Sequence, residues 1–240
     1  MRVVLALSSP AYACCLAFPW GLRAWNEGGG RQSHLVNAFM HCDLLSRDDA
    51  EAAMASYVHT LTEEYFQWMA GKFGMVKYDP EMGLQYMQLM ARHRADFTLS
   101  FRLLSELPSL AESFELSDAQ LVEVLEPALP PDASGSWIPE WGAWVRRYLV
   151  VVEEGLAEAE LSDEERRCRM DSHNPLYIPR NYLLQVAIEA TEKGNHAPLL
   201  ELLQVLKTPY VAQDGMHAYA HPAPDWARKA EVMQHCAGVM

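Results

Sequence analysis

The sequence predicts a mainly α-helical protein with about seven or eight helices and no confident sheet. Three observations carry that expectation. Apolar residues recur at helical spacing over long stretches beyond residue 43. Ser or Asp stands at cap spacing ahead of several of those stretches. No segment alternates apolar and polar residues over a strand's length. At 240 residues, 50 % of them hydrophobic, the chain is long enough to bury a sizeable core.

The first helix follows Ser46, which stands three residues before Asp49 in the manner of a capping box. Met54, Tyr57, Val58, Leu61, Tyr65, Trp68 and Met69 then form one apolar stripe, and Gly71 and Gly74 mark its end. Asp79-Pro80 reads as N-cap and first turn of a second helix reaching about Arg92. Asp96 opens a third, through Phe97, Phe101 and Leu104, which stops before Pro108. Ser117 with Gln120 caps a short helix around Leu121–Leu125.

Pro127 to Pro139 reads as a loop and as the only credible internal linker. A tryptophan-rich helix follows, with Trp141, Trp144 and Tyr148. Its Leu149–Val152 run resembles a strand, but the flanks are helical and it is read as buried helix. The group Trp137, Trp141 and Trp144 reads as core, with an interface as the alternative. Ser162 with Glu165 caps the next helix. Beyond Pro179, Leu183, Val186, Ala187 and Ala190 share a face, and Gly194 suits a C-terminal cap. Asn195 restarts a helix with the face Leu199, Leu202, Leu203 and Leu206, and an irregular tail follows from Thr208.

Charge sets the first 42 residues apart. They hold three basic residues and one acid, whereas the whole chain carries 19 bases against 32 acids, a net charge of −13. Residues 1–42 are therefore read as an atypical leader, disordered or out of frame, and 43–240 as the helical region. The acidity argues against nucleic-acid binding. No apolar run is long enough for a membrane span. Arg2 and the apolar stretch Val3–Phe18 imitate a signal peptide, but Ser8, Ser9 and Pro10 interrupt it. Cys14, Cys15, Cys42, Cys168 and Cys236 form no C-x-x-C pair, which fits a reducing compartment, and a cytoplasmic location is expected.

Several motifs reduce to structure. His93-Arg94-Ala95-Asp96-Phe97 half resembles two kinase signatures run together, but one aspartate would have to meet both hydroxyl and magnesium. Asp96 is read as an N-cap. Gly28–Gly30 lacks the strand, helix and Lys-Ser/Thr of a phosphate loop. His217 and His221 stand four apart, a metal spacing on a helix, but Gly215, Pro222 and Pro224 argue against that helix. Cys236 is a candidate redox thiol close to the chain's end.

One stretch is specific. Asn174-Pro175-Leu176-Tyr177-Ile178-Pro179-Arg180-Asn181, then Ala187-Ile188-Glu189-Ala190, resembles the N-P-x-Y-x-x-R-N segment of the selenoprotein O family, also called the YdiU family. Other pieces resemble that family in order: Glu64-Tyr65 to Lys72 and Gly74; Asp96-Phe97-Thr98 with Phe101-Arg102-Leu103; Trp141 to Arg147; Glu201 to Pro209-Tyr210; and Pro222 to Lys229. The resemblance runs from about Ser46 to Cys236.

The resemblance implies the helical C-terminal part of a protein-kinase-like (pseudokinase) fold. It also implies transfer of AMP from ATP, with magnesium, to Ser, Thr or Tyr hydroxyls of proteins. The family's metal-holding Asp-Asn and Asp-Tyr-Gly elements do not occur here, so no catalytic, cofactor-binding or metal-ligating residue is carried over. Asn174, Tyr177, Arg180 and Asn181 match family positions, with a structural role at a loop-to-helix joint expected. Cys236 falls near the family's tail thiol. The expectation is a truncated family member, inactive alone and needing no cofactor of its own. Its partner would be the missing N-terminal lobe or a protein substrate. The alternative is a stand-alone helical interaction module or the complementing half of a split enzyme.

Overall fold

The computed structural model describes residues 46–131, 134–224 and 226–227. The leader, Gly28–Gly30 and Cys236 lie outside the described residues. Nine α-helices and three short 3₁₀ segments, and no strand, occur among the described residues. The chain divides into two compact units, Met1–Met69 and Ala70–Met240.

Helix α1 is Arg47–Phe73. Asp49 donates its backbone N–H to Ser46 Oγ at 3.2 Å, and the Ser46 hydroxyl donates to the Asp49 carboxylate at 2.6 Å, so the expected cap is in place. The stripe on α1 is helical, but its burial differs from expectation. Tyr57 is 53 % exposed, and of the stripe only Met69 is fully buried. Periodicity reports which residues share a face and not whether anything covers it.

The second unit holds the core. Helix α2 (Pro80–His93) is capped by Asp79, whose carboxylate accepts from the N–H groups of Glu81 and Met82. Helix α3 (Phe97–Leu103) is capped by Asp96 and tightens into a 3₁₀ turn at Leu104–Glu106. A one-turn helix, α4 (Leu110–Ser113), comes next. Four residues carry no period, but the Ser109/Glu112 capping box that starts α4 was a local signal for it. Helix α5 (Asp118–Val122) begins at the Ser117/Gln120 box and passes into a 3₁₀ segment, Glu123–Ala128.

Helix α6 (Ile138–Ala159) runs through the centre of this core. Its start corrects the expected loop at both ends: Pro127 sits in the 3₁₀ segment and Pro139 in the first turn of α6. A first-turn proline gives up no hydrogen bond, because its N–H would have no partner there. Leu149 and Val152 are buried on α6, so the strand-like run is helix.

Trp141 and Trp144 are 0 % and 1 % exposed, so the tryptophan group is core and not an interface. Trp144 lies 4.6 Å from Tyr86 and stacks on Tyr148 at 5.0 Å, and Phe73 meets Phe101 edge-on at 5.1 Å. The polar edges of two of these rings find backbone partners. Trp144 Nε1 donates to Met82 O at 3.2 Å, and the Tyr148 hydroxyl donates to Phe73 O at 2.7 Å.

Helix α7 (Asp163–His173) starts at the Ser162/Glu165 capping box. Helices α8 (Asn181–Glu192) and α9 (Ala197–Val205) form a paired hairpin. Gly194, at φ +81°, lets Asn195 N–H reach back to Ala190 O at 2.9 Å and closes α8. The faces expected on this pair are only partly buried. Ala187 and Leu202 are inside, while Val186, Leu199 and Leu203 are 43 %, 44 % and 40 % exposed.

Candidate functional site

Helix α7 ends where Pro175 follows it, and Asn174 is left in an extended conformation at its C-terminus. The Asn174 side chain is 1 % exposed. A buried amide needs partners for both ends. Here Lys72, 102 residues away in sequence, supplies both. Lys72 Nζ donates to Asn174 Oδ1 at 2.8 Å, and Asn174 Nδ2 donates to Lys72 O at 2.9 Å. The ammonium also lies 4.5 Å from the centre of the Phe101 ring, a cation–π contact. Two residues beyond Lys72, Gly74 turns at φ +65°. A Cβ there would come within 2.6 Å of Met170 Sδ and 2.8 Å of Arg166 Cγ. The K-x-G turn is thus required by both backbone sign and close approach.

Arg102, at the end of α3, ties three segments together. Its Nη1 lies 3.1–3.2 Å from the carbonyl oxygens of Asp171, Asn174 and Tyr210, and its Nη2 lies 3.0 Å from the Asp171 carboxylate. The strap carrying Tyr210 is fixed a second time. Pro209 O accepts from the N–H groups of Leu176 and Tyr177 at 2.8 and 3.1 Å. Tyr177 is buried, and its hydroxyl oxygen accepts from Gln213 N–H at 3.0 Å.

Arg180 is the residue preceding α8, and its guanidinium pairs with both oxygens of the Asp96 carboxylate. Asp96 also accepts from Leu99 N–H at 2.9 Å. One carboxylate therefore caps α3 and anchors α8. This cap role is the one expected of Asp96; the second role joins residues 84 apart and has no local signal. Asn181 opens α8 at the surface.

A second buried cation stands beside this junction. Arg166 is 2 % exposed. It donates to Asp163 at 2.6 Å and to Met170 Sδ at 3.0 Å, and lies 3.5 Å from the Tyr148 hydroxyl. Burial pushes the Tyr148 phenol up to about 12, against the pull of Arg166. Partial burial would raise Asp163, but hydrogen bonds and charge from Arg166 and Arg167 outweigh it and hold the carboxyl below its usual range.

Thus Lys72, Asp96, Arg102, Asn174, Tyr177, Arg180 and Tyr210, all from segments singled out in the sequence, meet in one polar junction. The family model described as "Protein adenylyltransferase SelO" matches residues 34–207. The chain belongs to the SelO/YdiU family. The match starts at residue 34, inside the segment that charge set apart. Similar SelO/YdiU proteins include the "Protein nucleotidyltransferase YdiU" of Vibrio vulnificus (strain CMCP6), 33 % identical over 227 residues, covering 92 % of this chain and 43 % of that protein. The protein of the same name from Tolumonas auensis is 34 % identical over 173 residues, covering 70 % of this chain and 31 % of its own length. That of Rhodopirellula baltica is 32 % identical over 188 residues, covering 74 % and 34 %. The chain spans less than half the length of these curated SelO/YdiU relatives.

Other candidates stay apart from the junction. His217 lies in the 3₁₀ turn His217–Tyr219, and His221 comes two residues after it. Among the described residues, no three His, Cys, Asp or Glu side chains come together to hold a metal ion. Cys168 is a free, exposed thiol on α7. Desolvation and then the Glu164 carboxylate beside it raise its pKa. Among the described residues no helix is long and apolar enough to cross a membrane.

Proposed function

We propose that this chain supplies the helical support of a protein nucleotidyltransferase, and that residues 46–227 do not themselves carry the transfer. In this reading the complete enzyme is kinase-like and cytoplasmic. It moves AMP from ATP, with magnesium, to Ser, Thr or Tyr hydroxyls of other proteins. The relatives' names, protein adenylyltransferase and protein nucleotidyltransferase, support the reaction class. The free thiol of Cys168 fits a reducing compartment.

The observation that carries the reading is how the junction uses its polar groups. Asp96 faces Arg180, Asp171 faces Arg102, and both ends of the Asn174 amide face Lys72. These groups hold one another at the joint between α7 and α8, which is the role assigned here to Asn174, Tyr177, Arg180 and Asn181. Among the described residues no three His, Cys, Asp or Glu side chains come together, and no step of the transfer is assigned to them. In this reading the nucleotide-binding lobe comes from outside residues 46–227, and the chain alone is inactive.

Titration of the purified chain with Mg-ATP in a calorimeter tests this. The expected outcome is no saturable heat. Saturable micromolar binding overturns the proposal. A second reading, an interaction module or complementing half of a split enzyme, draws on the exposed Leu199, Leu200 and Leu203 of α9. Restored AMP transfer on mixing with the N-terminal half of a relative favours it, and an inert monomer in that mixture counts against it.

A further inference from the structure

Helices α8 and α9 leave one apolar face uncovered. Ala187 turns α8 inward, and Leu202 and Val205 turn α9 inward. Counted at about 100° per residue from Ala187, Leu184 and Ile188 lie at about +60° and +100°. Counted the same way from Leu202, Leu199 and Leu203 lie at the same two angles. Only residues 193–196 join the two helices, so they run antiparallel, and equal angles then fall on one side of the pair. Leu184, Ile188, Leu199 and Leu203 therefore share a face, each between 37 % and 52 % exposed. Ile188 and Leu199 sit near the turn, and Leu184 and Leu203 lie one helical turn further from it. Val186, at about −100°, is exposed on the opposite side of α8.

Three properties of this face fit a second copy of the chain. The first is charge. The chain as a whole carries −13, but residues 181–207 hold three acids, Glu189, Glu192 and Glu201, against Lys193 and Lys207, a net of −1. Two acidic copies can approach through so nearly neutral a surface, whereas facing like charges would oppose them. The second is symmetry. A two-fold axis parallel to the helices sets α8 of one copy antiparallel against α9 of the other. Ile188 then meets Leu199 of the second copy, and Leu184 meets its Leu203, each at a matching level. The result is an up-down-up-down four-helix bundle with two apolar layers. The third is area. The four side chains expose on the order of 300 Å² of apolar surface per copy. In an interface about 57 % apolar that corresponds to about 550 Å² per copy and about 1,100 Å² for the pair, above the roughly 1,000 Å² that a specific interface needs.

We propose that two copies of this chain pair through the α8–α9 face as a two-fold symmetric four-helix bundle that buries Leu184, Ile188, Leu199 and Leu203. The pairing does not depend on the reaction class assigned above.

Sedimentation equilibrium of the full chain over a range of concentrations tests this, with three single substitutions. Ile188→Glu and Leu203→Glu place a charge within the face. Val186→Glu places the same charge at a comparably exposed position of α8 that points away from it. The parent should show a reversible monomer–dimer equilibrium. Ile188→Glu and Leu203→Glu should raise its dissociation constant by about tenfold or more, and Val186→Glu by less than about twofold. All three positions are exposed in the single copy, so the urea midpoints of monomeric protein should match the parent's. Amide exchange in the parent needs no variant, and protection of residues 184–203 should rise with concentration. A parent that stays monomeric at every concentration overturns the proposal. So does a dimer that Val186→Glu weakens as much as Ile188→Glu, or that none of the three weakens. A monomer that binds the N-terminal half of a relative, and releases it on Ile188→Glu, overturns it in favour of that half as the occupant. A monomer whose bis-ANS signal rises on Ile188→Glu but not on Val186→Glu overturns it in favour of the chain's own remaining residues.

Discussion

Two buried regions of this protein are held together by opposite means. Around Trp144, Phe73, Tyr86, Phe101, Trp141 and Tyr148 interlock ring against ring, with single backbone hydrogen bonds satisfying the Trp144 and Tyr148 polar edges. Around Asn174, Lys72, Arg102, Asp96 and Arg180 are charged and largely buried, and each is held by named partners. The first region gains from removing apolar area from water, which is non-directional and grows with area. The second gains little net energy from any one pair, because desolvation offsets the attraction, but losing one partner strands the other. The aromatic region should therefore respond to volume, and the polar junction to completeness.

The largest expected effect breaks the aromatic side. Trp144→Ala should cost about 4 kcal/mol, read as a lowered urea midpoint, because it removes a fully buried side chain and leaves a cavity. Trp144→Phe should cost clearly less, because most of the ring volume remains. If the two substitutions cost the same, the Nε1–Met82 hydrogen bond and not volume dominates there.

Next comes the polar side. Asp96→Asn should cost about 3 kcal/mol, by leaving the Arg180 guanidinium, 10 % exposed, without its counter-charge. Adding Arg180→Gln should recover part of that loss, since the stranded charge is then gone. Strictly additive losses in the double variant would show that the two residues do not act as a pair.

The smallest effect comes from pH and sets the aromatic region against carboxylates at helix starts outside the polar junction. Glu112 and Glu165 are held below the usual 4.5 by hydrogen bonds from Ser109 and Ser162, and Asp163 is held below 3.8. Their lowered values in the folded state mean that they stabilise above the unfolded values and lose that contribution as pH falls through the folded ones. Tyr148 runs the other way. Its raised value means stability intact below about 10 and lost as pH rises toward about 12. Chemical-denaturation midpoints measured across pH should fall at both ends, with Tyr148→Phe abolishing part of the alkaline loss only.

How much of this was legible beforehand depends on distance along the chain. The caps at Ser46, Asp79, Asp96, Ser117 and Ser162 were readable because each hydrogen bond spans two or three residues. Asn174, Tyr177 and Arg180 were readable as members of a motif, but their partners were not. Lys72 and Asn174 are 102 residues apart, and nothing in either segment names the other. Gly194 was a legible stop. Arg94 and Glu160, at φ 52° and 55°, end helices in the same left-handed region with no such signal, since that region disfavours side chains.

By itself the sequence determined the helical class, most helix starts and the membership of the motif set. Each rests on interactions within one turn, where propensity, capping and the 3.6-residue period act. Tertiary structure decided which apolar faces were covered. Leu202 is inside and Leu203 is 40 % exposed, and Trp141 is core while Tyr57 faces water. It also decided that one carboxylate, Asp96, serves both its own helix and Arg180. Burial and long-range pairing depend on what packs from elsewhere in the chain, and a local pattern carries no information about that neighbour.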